Sequence, residues 1–191
     1  MKDLDRARRA LRSYRPKTDE APEARPAAVA LILRDGSGSG GVEALFIKRA
    51  ERAGDPWSGQ IALPGGRREP ADADLLASAL REAREETGID LTGAERLGVL
   101  DDLYPRTPTL PPVVVRPFVF AIAERPVLIY SDEVTEAFWV PLADLESPSA
   151  RREVTISLRD GERAFPAYVL GDRVIWGMTE RILTGFLGLV M

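Results

Sequence analysis

Histidine and cysteine are both missing from this 191-residue chain. Without cysteine there is no thiolate nucleophile, no disulfide framework and no Cys/His zinc site. Without histidine there is no Ser-His-Asp triad and no imidazole base. Lysine is scarce as well: only Lys2, Lys17 and Lys48 occur, so cationic contacts fall to arginine. No apolar run approaches the ~20 residues that span a bilayer. Chemistry therefore has to come from carboxylates, arginine, tyrosine, hydroxyls, backbone amides or a hard metal ion.

What is present bounds the answer further. The chain has 30 acidic and 26 basic residues, a net charge of −4, which argues against a dedicated nucleic-acid binder. A hydrophobic content of 45% can bury a real core. The length suits one domain with a short appendage: residues 1–25 as an N-terminal helix and linker, residues 26–191 as the body. The charged N-terminus lacks the apolar core of a secretion signal, and Asp3 and Asp5 weaken a transit-peptide reading. The expected setting is cytoplasmic, with neither membrane nor nucleic acid as a partner.

Leu4, Ala7 and Leu11 recur at helical spacing within Met1–Arg15, predicting a surface helix packed on the body. Tyr14–Pro26 reads as a linker. Ala27–Arg34 and Val42–Lys48 are strand patterns joined by the Asp35–Gly41 turn, which predicts a hairpin. Gly59–Leu63 is a short strand that runs into Pro64-Gly65-Gly66. Asp74–Thr87 is the strongest helix: Asp72 and Asp74 are candidates for its N-cap, and Gly88 stands where a terminating glycine belongs. Further strands are expected at Glu95–Asp101, Val113–Ala123 and Val134–Val140, and a helical turn near Ala143–Leu145. Weaker strands follow at Glu153–Leu158 and Ala164–Leu170, then an apolar helix at Met178–Val190. This order predicts an α/β (α+β) sandwich, a central mixed β-sheet flanked by helices, and not a doubly wound parallel sheet.

The strongest helix also carries the chemistry. Leu76, Ala79, Leu80, Ala83 and Thr87 share one face. With Glu82 at 0°, Glu85 falls at about −60° and Glu86 at about +40°. Three carboxylates thus crowd an arc of about 100° on the face away from the predicted core, where like charges repel by roughly 0.2–0.5 kcal/mol per pair. A divalent cation would offset that repulsion, since oxygen-only ligand sets suit Mg²⁺, Mn²⁺ or Ca²⁺. Read alone, the cluster is a solvated acidic face paired with Arg81 and Arg84. Pro64-Gly65-Gly66 upstream adds a loop whose backbone can approach a ligand closely.

Together these segments resemble the Nudix hydrolase signature. Arg81-Glu82-Ala83-Arg84-Glu85-Glu86-Thr87-Gly88-Ile89 matches its second half at every fixed position. In the first half one inserted residue restores the match, with Gly66 at the glycine position and Asp72 in place of the first Glu. Leu63-Pro64-Gly65-Gly66-Arg67-Arg68-Glu69-Pro70 followed by Ala79-Leu80-Arg81-Glu82-Ala83 is similar to Nudix enzymes of the coenzyme A pyrophosphatase type. So are Glu133-Val134, Phe138-Trp139-Val140-Pro141-Leu142 and Ile175-Trp176-Gly177-Met178-Thr179. The chain departs from that subfamily at two positions: Asp55 stands where it has an Arg, four residues before Gly59, and Leu63 replaces a Phe.

The resemblance implies a Mg²⁺- or Mn²⁺-dependent hydrolysis of a nucleoside diphosphate linked to another moiety, with coenzyme A or its derivatives as the first substrate class. ADP-ribose, NADH and dinucleoside polyphosphates are the alternatives, and a non-catalytic nucleotide-binding module is the reading from another class. It further implies that Glu85, Glu86 and the Gly66 carbonyl hold metal. Glu82 would be a further ligand or the group that activates water, and Arg81 would position the carboxylates. Glu133 is the second candidate for the base, with Glu136 beside it. Arg49, Arg52, Trp57 and Arg67 are candidates for substrate contact, Glu69 for a supporting acid, and Tyr104 and Arg106 for a pocket wall. The partner is then a small-molecule nucleotide. A homodimer, common among such proteins, would form through the first or last helix.

Overall fold

The computed structural model describes residues 3–36, 41–106, 110–158 and 161–190. In chain order the elements are α1 (Asp3–Ser13), β1 (Arg25–Asp35), β2 (Val42–Arg49), β3 (Ile61–Ala62), β4 (Gly65–Arg67) and α2 (Leu75–Thr87). They continue with β5 (Glu95–Val99), β6 (Val113–Ile122), β7 (Val134–Pro141), α3 (Leu142–Glu146), β8 (Arg151–Leu158), β9 (Gly161–Leu170), β10 (Arg173–Trp176) and α4 (Gly177–Val190).

Seven strands form one mixed sheet in the order β3-β2-β1-β6-β5, with β4 also on β1 and β7 also on β2. β1 and β2 pair antiparallel as the predicted hairpin, whose tip at residues 37–40 lies outside the described residues. β1 and β6 run parallel over ten residue pairs, from Arg25↔Val113 to Arg34↔Ile122, so the sheet is mixed. β8, β9 and β10 make a separate antiparallel sheet. The second sheet, β4 and β10 were not expected. β4 and β10 are only three and four residues long, too short to show a two-residue alternation.

β1 sorts its side chains by parity because successive residues point to opposite faces. Ala28, Ala30 and Ile32 pack with Ala79 and Ala83 of α2. Leu31 and Leu33 pack on the other face with Leu4, Ala7 and Leu11 of α1 and with Ile182, Leu183 and Phe186 of α4. Helices therefore cover both faces of the sheet. The apolar faces of the first and last helices are buried within the chain itself. The segment between α1 and β1 has no regular structure but is tied down: Tyr14 Oη donates to Asp101 at 2.6 Å, and Lys17 N donates to the same carboxylate at 2.8 Å.

β1 changes partner along its length, and that creates the site. Leu33–Asp35 pair with β2, whereas Ala27–Val29 pair with β4. The intervening Ala30 N–H donates to the Pro64 carbonyl at 2.8 Å. The Pro-Gly-Gly segment, expected as a loop, is thus threaded onto the sheet. Gly65 is required there: a Cβ would lie 2.3 Å from the Ala28 carbonyl oxygen and 2.6 Å from Val29 Cα.

Candidate active site

α2 is fixed at both ends. Asp74 Oδ1 caps it by accepting from Ala77 N at 2.8 Å, and Gly88 closes it at φ 74°. Asp72, the other candidate for the cap, has a different task. Its carboxylate is buried and accepts from Arg81 Nε and Nη2, both at 3.1 Å, from Ser78 Oγ and from Glu69 N. Arg81 holds it well below the usual carboxylate range, and the Asp72 carboxylate in turn raises the Arg81 guanidinium.

Arg81 is the hub of the cluster. Beyond Asp72 it donates to Glu82 Oε1 at 2.9 Å, to Glu85 Oε2 at 3.0 Å and to the Arg67 carbonyl at 3.0 Å. Glu69 lies 3.8 Å from the same guanidinium. One rigid fork therefore positions Asp72, Glu82 and Glu85 and ties α2 to β4.

The three glutamates occupy different environments, which corrects the expectation of one shared outer face. The Glu85 side chain is 58% exposed, that of Glu82 14%, and that of Glu86 3%. β4 covers this flank of the helix, and Glu86 Oε2 accepts from Gly65 N at 2.8 Å. Burial pushes the Glu86 carboxyl up to about 8; the charges of Glu82 and Glu133 push the same way, while the Gly65 N–H and Arg49 oppose. Glu82 is also raised, first by its burial. Two neighbouring carboxyls held above their ordinary range mark a site short of positive charge.

A cavity of about 560 Å³ opens over these groups. Of the residues expected to act, it brings together Gly66, Glu82, Glu86, Glu133, Arg49, Trp57 and Arg67, and Glu69 lies in its wall. Arg81, which bonds Glu82 and Glu85, does not line it; nor does Glu85, and neither does Arg52, which is engaged with Glu133 at 2.9 Å. Glu136 is elsewhere. It pairs with Arg173 and lines a second cavity together with Trp176. Tyr104 donates to Glu23 and Arg106 pairs with Asp19, so both anchor the segment before β1. Trp176 packs on Phe165 at 5.2 Å, and buried Arg34 lies over Trp139 at 4.9 Å; neither indole lines the cavity of the glutamates.

Three features of the site have roles that the sequence does not specify. Val113, Val115, Met178 and Ile182 add an apolar lining, supplied by β6 and α4. Asp55 is a cavity residue whose partners are Arg49 and the Trp57 backbone. Asp72 carries Arg81. The last two had a signal in the sequence, Asp55 as a departure from the subfamily motif and Asp72 through its place in the signature.

The donor set fits a hard divalent cation. Glu82 lies against the Gly66 backbone, where a Cβ would sit 2.3 Å from Glu82 Oε1, and Glu86 is bonded one residue away, at Gly65 N. Among the described residues no three acidic groups are yet close enough to hold an ion together, because Arg81 engages Glu82 and Glu85 while Gly65 N engages Glu86. Such an ion would neutralise the buried carboxylate charge that Arg81 and Arg49 only partly offset.

The NUDIX domain family model matches residues 24–158, and the chain belongs to the Nudix family. It is a Nudix hydrolase. The chain is 32% identical over 166 residues to the mitochondrial coenzyme A diphosphatase NUDT8 of Homo sapiens, covering 85% of this chain and 69% of the human protein. It is 37% identical over 131 residues to the uncharacterized protein C14C4.10c of Schizosaccharomyces pombe, covering 65% of this chain and only 40% of that relative's length. Among solved structures, a MutT/nudix family protein from Enterococcus faecalis superposes with a TM-score of 0.60 at 25% identity, covering 94% of this chain and 66% of that one. Among the described residues no helix is long and apolar enough to cross a membrane.

Proposed function

We propose that the chain is a Mg²⁺- or Mn²⁺-dependent diphosphatase of coenzyme A or its derivatives, releasing 3′,5′-ADP and 4′-phosphopantetheine. The observation that carries this reading is the composition of the cavity. Glu82, Glu86 and Gly66 meet an apolar wall of Val113, Val115, Met178 and Ile182 in one space. A diphosphate joined to a long, weakly polar arm suits both halves. The coenzyme A diphosphatase activity named for the human relative supports the same substrate class.

In this reading Glu86, Glu85, Glu82 and the Gly66 carbonyl hold the divalent ion. When bound, such an ion lowers the pKa of water and neutralises charge on the phosphoryl oxygens. Glu82, largely screened from water and held by Arg81, orients the attacking water and accepts its proton. Glu133, which lines the same cavity, is the other carboxylate able to do so. Arg81 touches no substrate; it is a positioning residue that aims Glu82 and Glu85. Arg67 has an exposed side chain at the cavity edge and meets the incoming phosphates, while the Trp57 indole offers a face for the adenine. Arg52 acts at one remove, by holding Glu133.

A second reading keeps the catalyst and changes the substrate to ADP-ribose, NADH or a dinucleoside polyphosphate. Asp55, a carboxylate at the cavity, favours it. A parallel panel of these compounds and coenzyme A, with Mg²⁺ or Mn²⁺ and both products identified, decides. Release of 3′,5′-ADP from coenzyme A supports the first reading. Good turnover of ADP-ribose with coenzyme A left intact would overturn it. If Glu85→Gln and Glu86→Gln bind metal and turn over substrate like the parent, the assignment of the ligands is wrong.

A further inference from the structure

Asp55 divides its carboxylate between two neighbours at the cavity. Oδ2 accepts from Arg49 Nη2 at 3.0 Å, and Oδ1 accepts from the Trp57 backbone N–H at 3.0 Å. The side chain is 19% exposed, so water screens it only partly. Arg49 Nη1 lies 3.7 Å from Glu86, so the guanidinium sits between two carboxylates. Its Nε is buried without a hydrogen-bond partner. The other cavity-lining cation is Arg67, and five lining carboxylates face these two guanidiniums.

This balance has a consequence for substrate choice. A divalent ion among the glutamates offsets the carboxylates that hold it, and Arg67 is left to meet the diphosphate. A phosphate monoester adds a charge of about −1.5 to −2 near neutral pH and needs a cation of its own. Arg49 is the remaining candidate, and Asp55 occupies it.

We infer that Asp55 is a specificity-determining residue: by engaging Arg49 and adding its own charge to the cavity, it favours, among the diphosphates the site cleaves, those whose adenosine ribose carries no further phosphate monoester. The inference rests on the hydrolase reading above and sharpens its substrate class. Within coenzyme A-type compounds it favours dephospho-coenzyme A over coenzyme A. The same rule favours NADH over NADPH, and ADP-ribose over its 2′-phosphate.

The test measures kcat and KM for all three pairs at fixed ionic strength with saturating Mn²⁺ or Mg²⁺. The parent is expected to prefer the member without the extra phosphate by roughly tenfold in kcat/KM, carried by KM, the scale of one partly screened like-charge contact. Asp55→Asn keeps an acceptor for the Trp57 N–H and removes the charge; Asp55→Ala removes both. Either variant is expected to narrow the preference by lowering KM for the phosphorylated member while kcat holds. A general loss of loop structure would instead raise KM for both members alike. The inference is overturned if the parent prefers the phosphorylated member of a pair it cleaves, or if neither variant moves the ratio. If neither coenzyme is cleaved but another pair is, the coenzyme A reading fails and that pair still decides the role of Asp55. Cleavage of none of the six compounds overturns both.

Discussion

Glu86 shows how one residue links stability to function. It is a carboxyl placed where a charge is unwelcome, 3% exposed and titrating at about 8. Its folded pKa exceeds the ordinary value, so the folded state holds the proton more tightly than the unfolded chain. Its contribution to stability is therefore complete below about pH 4.5 and is lost as pH rises through about 8. In metal-free protein the melting temperature is expected to fall across that window, and Glu86→Gln is expected to flatten the fall. A parent curve rising from pH 5 to 8, or a variant curve that parallels it, would contradict this. With metal present the same substitution is expected to cost at least roughly 100-fold in kcat/KM.

Asp72 has the opposite sign. Its pKa is depressed by Arg81, so its contribution is present above about pH 4 and is lost as pH falls through the lower folded value. Asp72→Asn is expected to destabilise by about 2–3 kcal/mol, measured by urea unfolding at pH 7, because Arg81 loses a paired hydrogen bond to a charged acceptor. Equal unfolding midpoints for parent and variant would remove Asp72 from its supporting role. Neither behaviour is written in the helical wheel. The wheel locates Glu82, Glu85 and Glu86 on adjoining faces, but it has no information on β4, whose Gly65 N–H takes Glu86 out of water. Asp55 is a similar case. In the sequence it is a missing arginine, and only the fold shows which cation it holds.

At the scale of elements, α2 and the β1–β2 hairpin were legible because each is long enough to display its period and carries its own stop signals. Asp74 and Gly88 bound the helix as capping chemistry requires. Pro64-Gly65-Gly66 was legible as a special backbone but not as strand β4, since its pairing depends on β1 releasing β2 at Ala30. The two glycines of that strand are expected to respond differently to the same change. In Gly65→Ala the new methyl group meets backbone, the Ala28 carbonyl oxygen at 2.3 Å, and cannot be accommodated without moving β1. A loss of about 2–3 kcal/mol in unfolding free energy is expected. In Gly66→Ala the methyl group meets the end of a flexible side chain, Glu82 Oε1 at 2.3 Å. Here the fold is expected to lose less than about 1 kcal/mol while Glu82 is displaced and kcat falls at least roughly tenfold. Calorimetry and steady-state kinetics on the pair check both halves. A Gly66→Ala enzyme with normal kcat would show that the position of Glu82 is not needed.

For the whole molecule, the absent histidines and cysteines leave carboxylates and arginines to build the site, and the fold gathers them where the central strand β1 passes from β2 to β4. The layered architecture was legible from the order of strands and helices. The apolar cavity wall was not, because β6 and α4 reach it from segments about 65 residues apart, read off as Val113 and Met178. The site pits buried carboxylates against too few cations, so the intact chain is expected to gain stability from the missing charge. An ion at 100 times its Kd stabilises by about 2.7 kcal/mol, equivalent to roughly 5–10 °C in melting temperature for a chain of this size. Mg²⁺ and Mn²⁺ are expected to raise the Tm by that order and EDTA to reverse it. The shift should be larger at pH 8 than at pH 6, because the ion must displace the proton that Glu86 retains below about 8. Glu86→Gln should abolish most of the shift, whereas Asp55→Asn, which leaves the glutamates untouched, should preserve it. A parent protein whose Tm does not respond to millimolar Mg²⁺ or Mn²⁺ at pH 8 would mean that Glu82, Glu85, Glu86 and Gly66 do not constitute the metal site, whatever activity the chain displays.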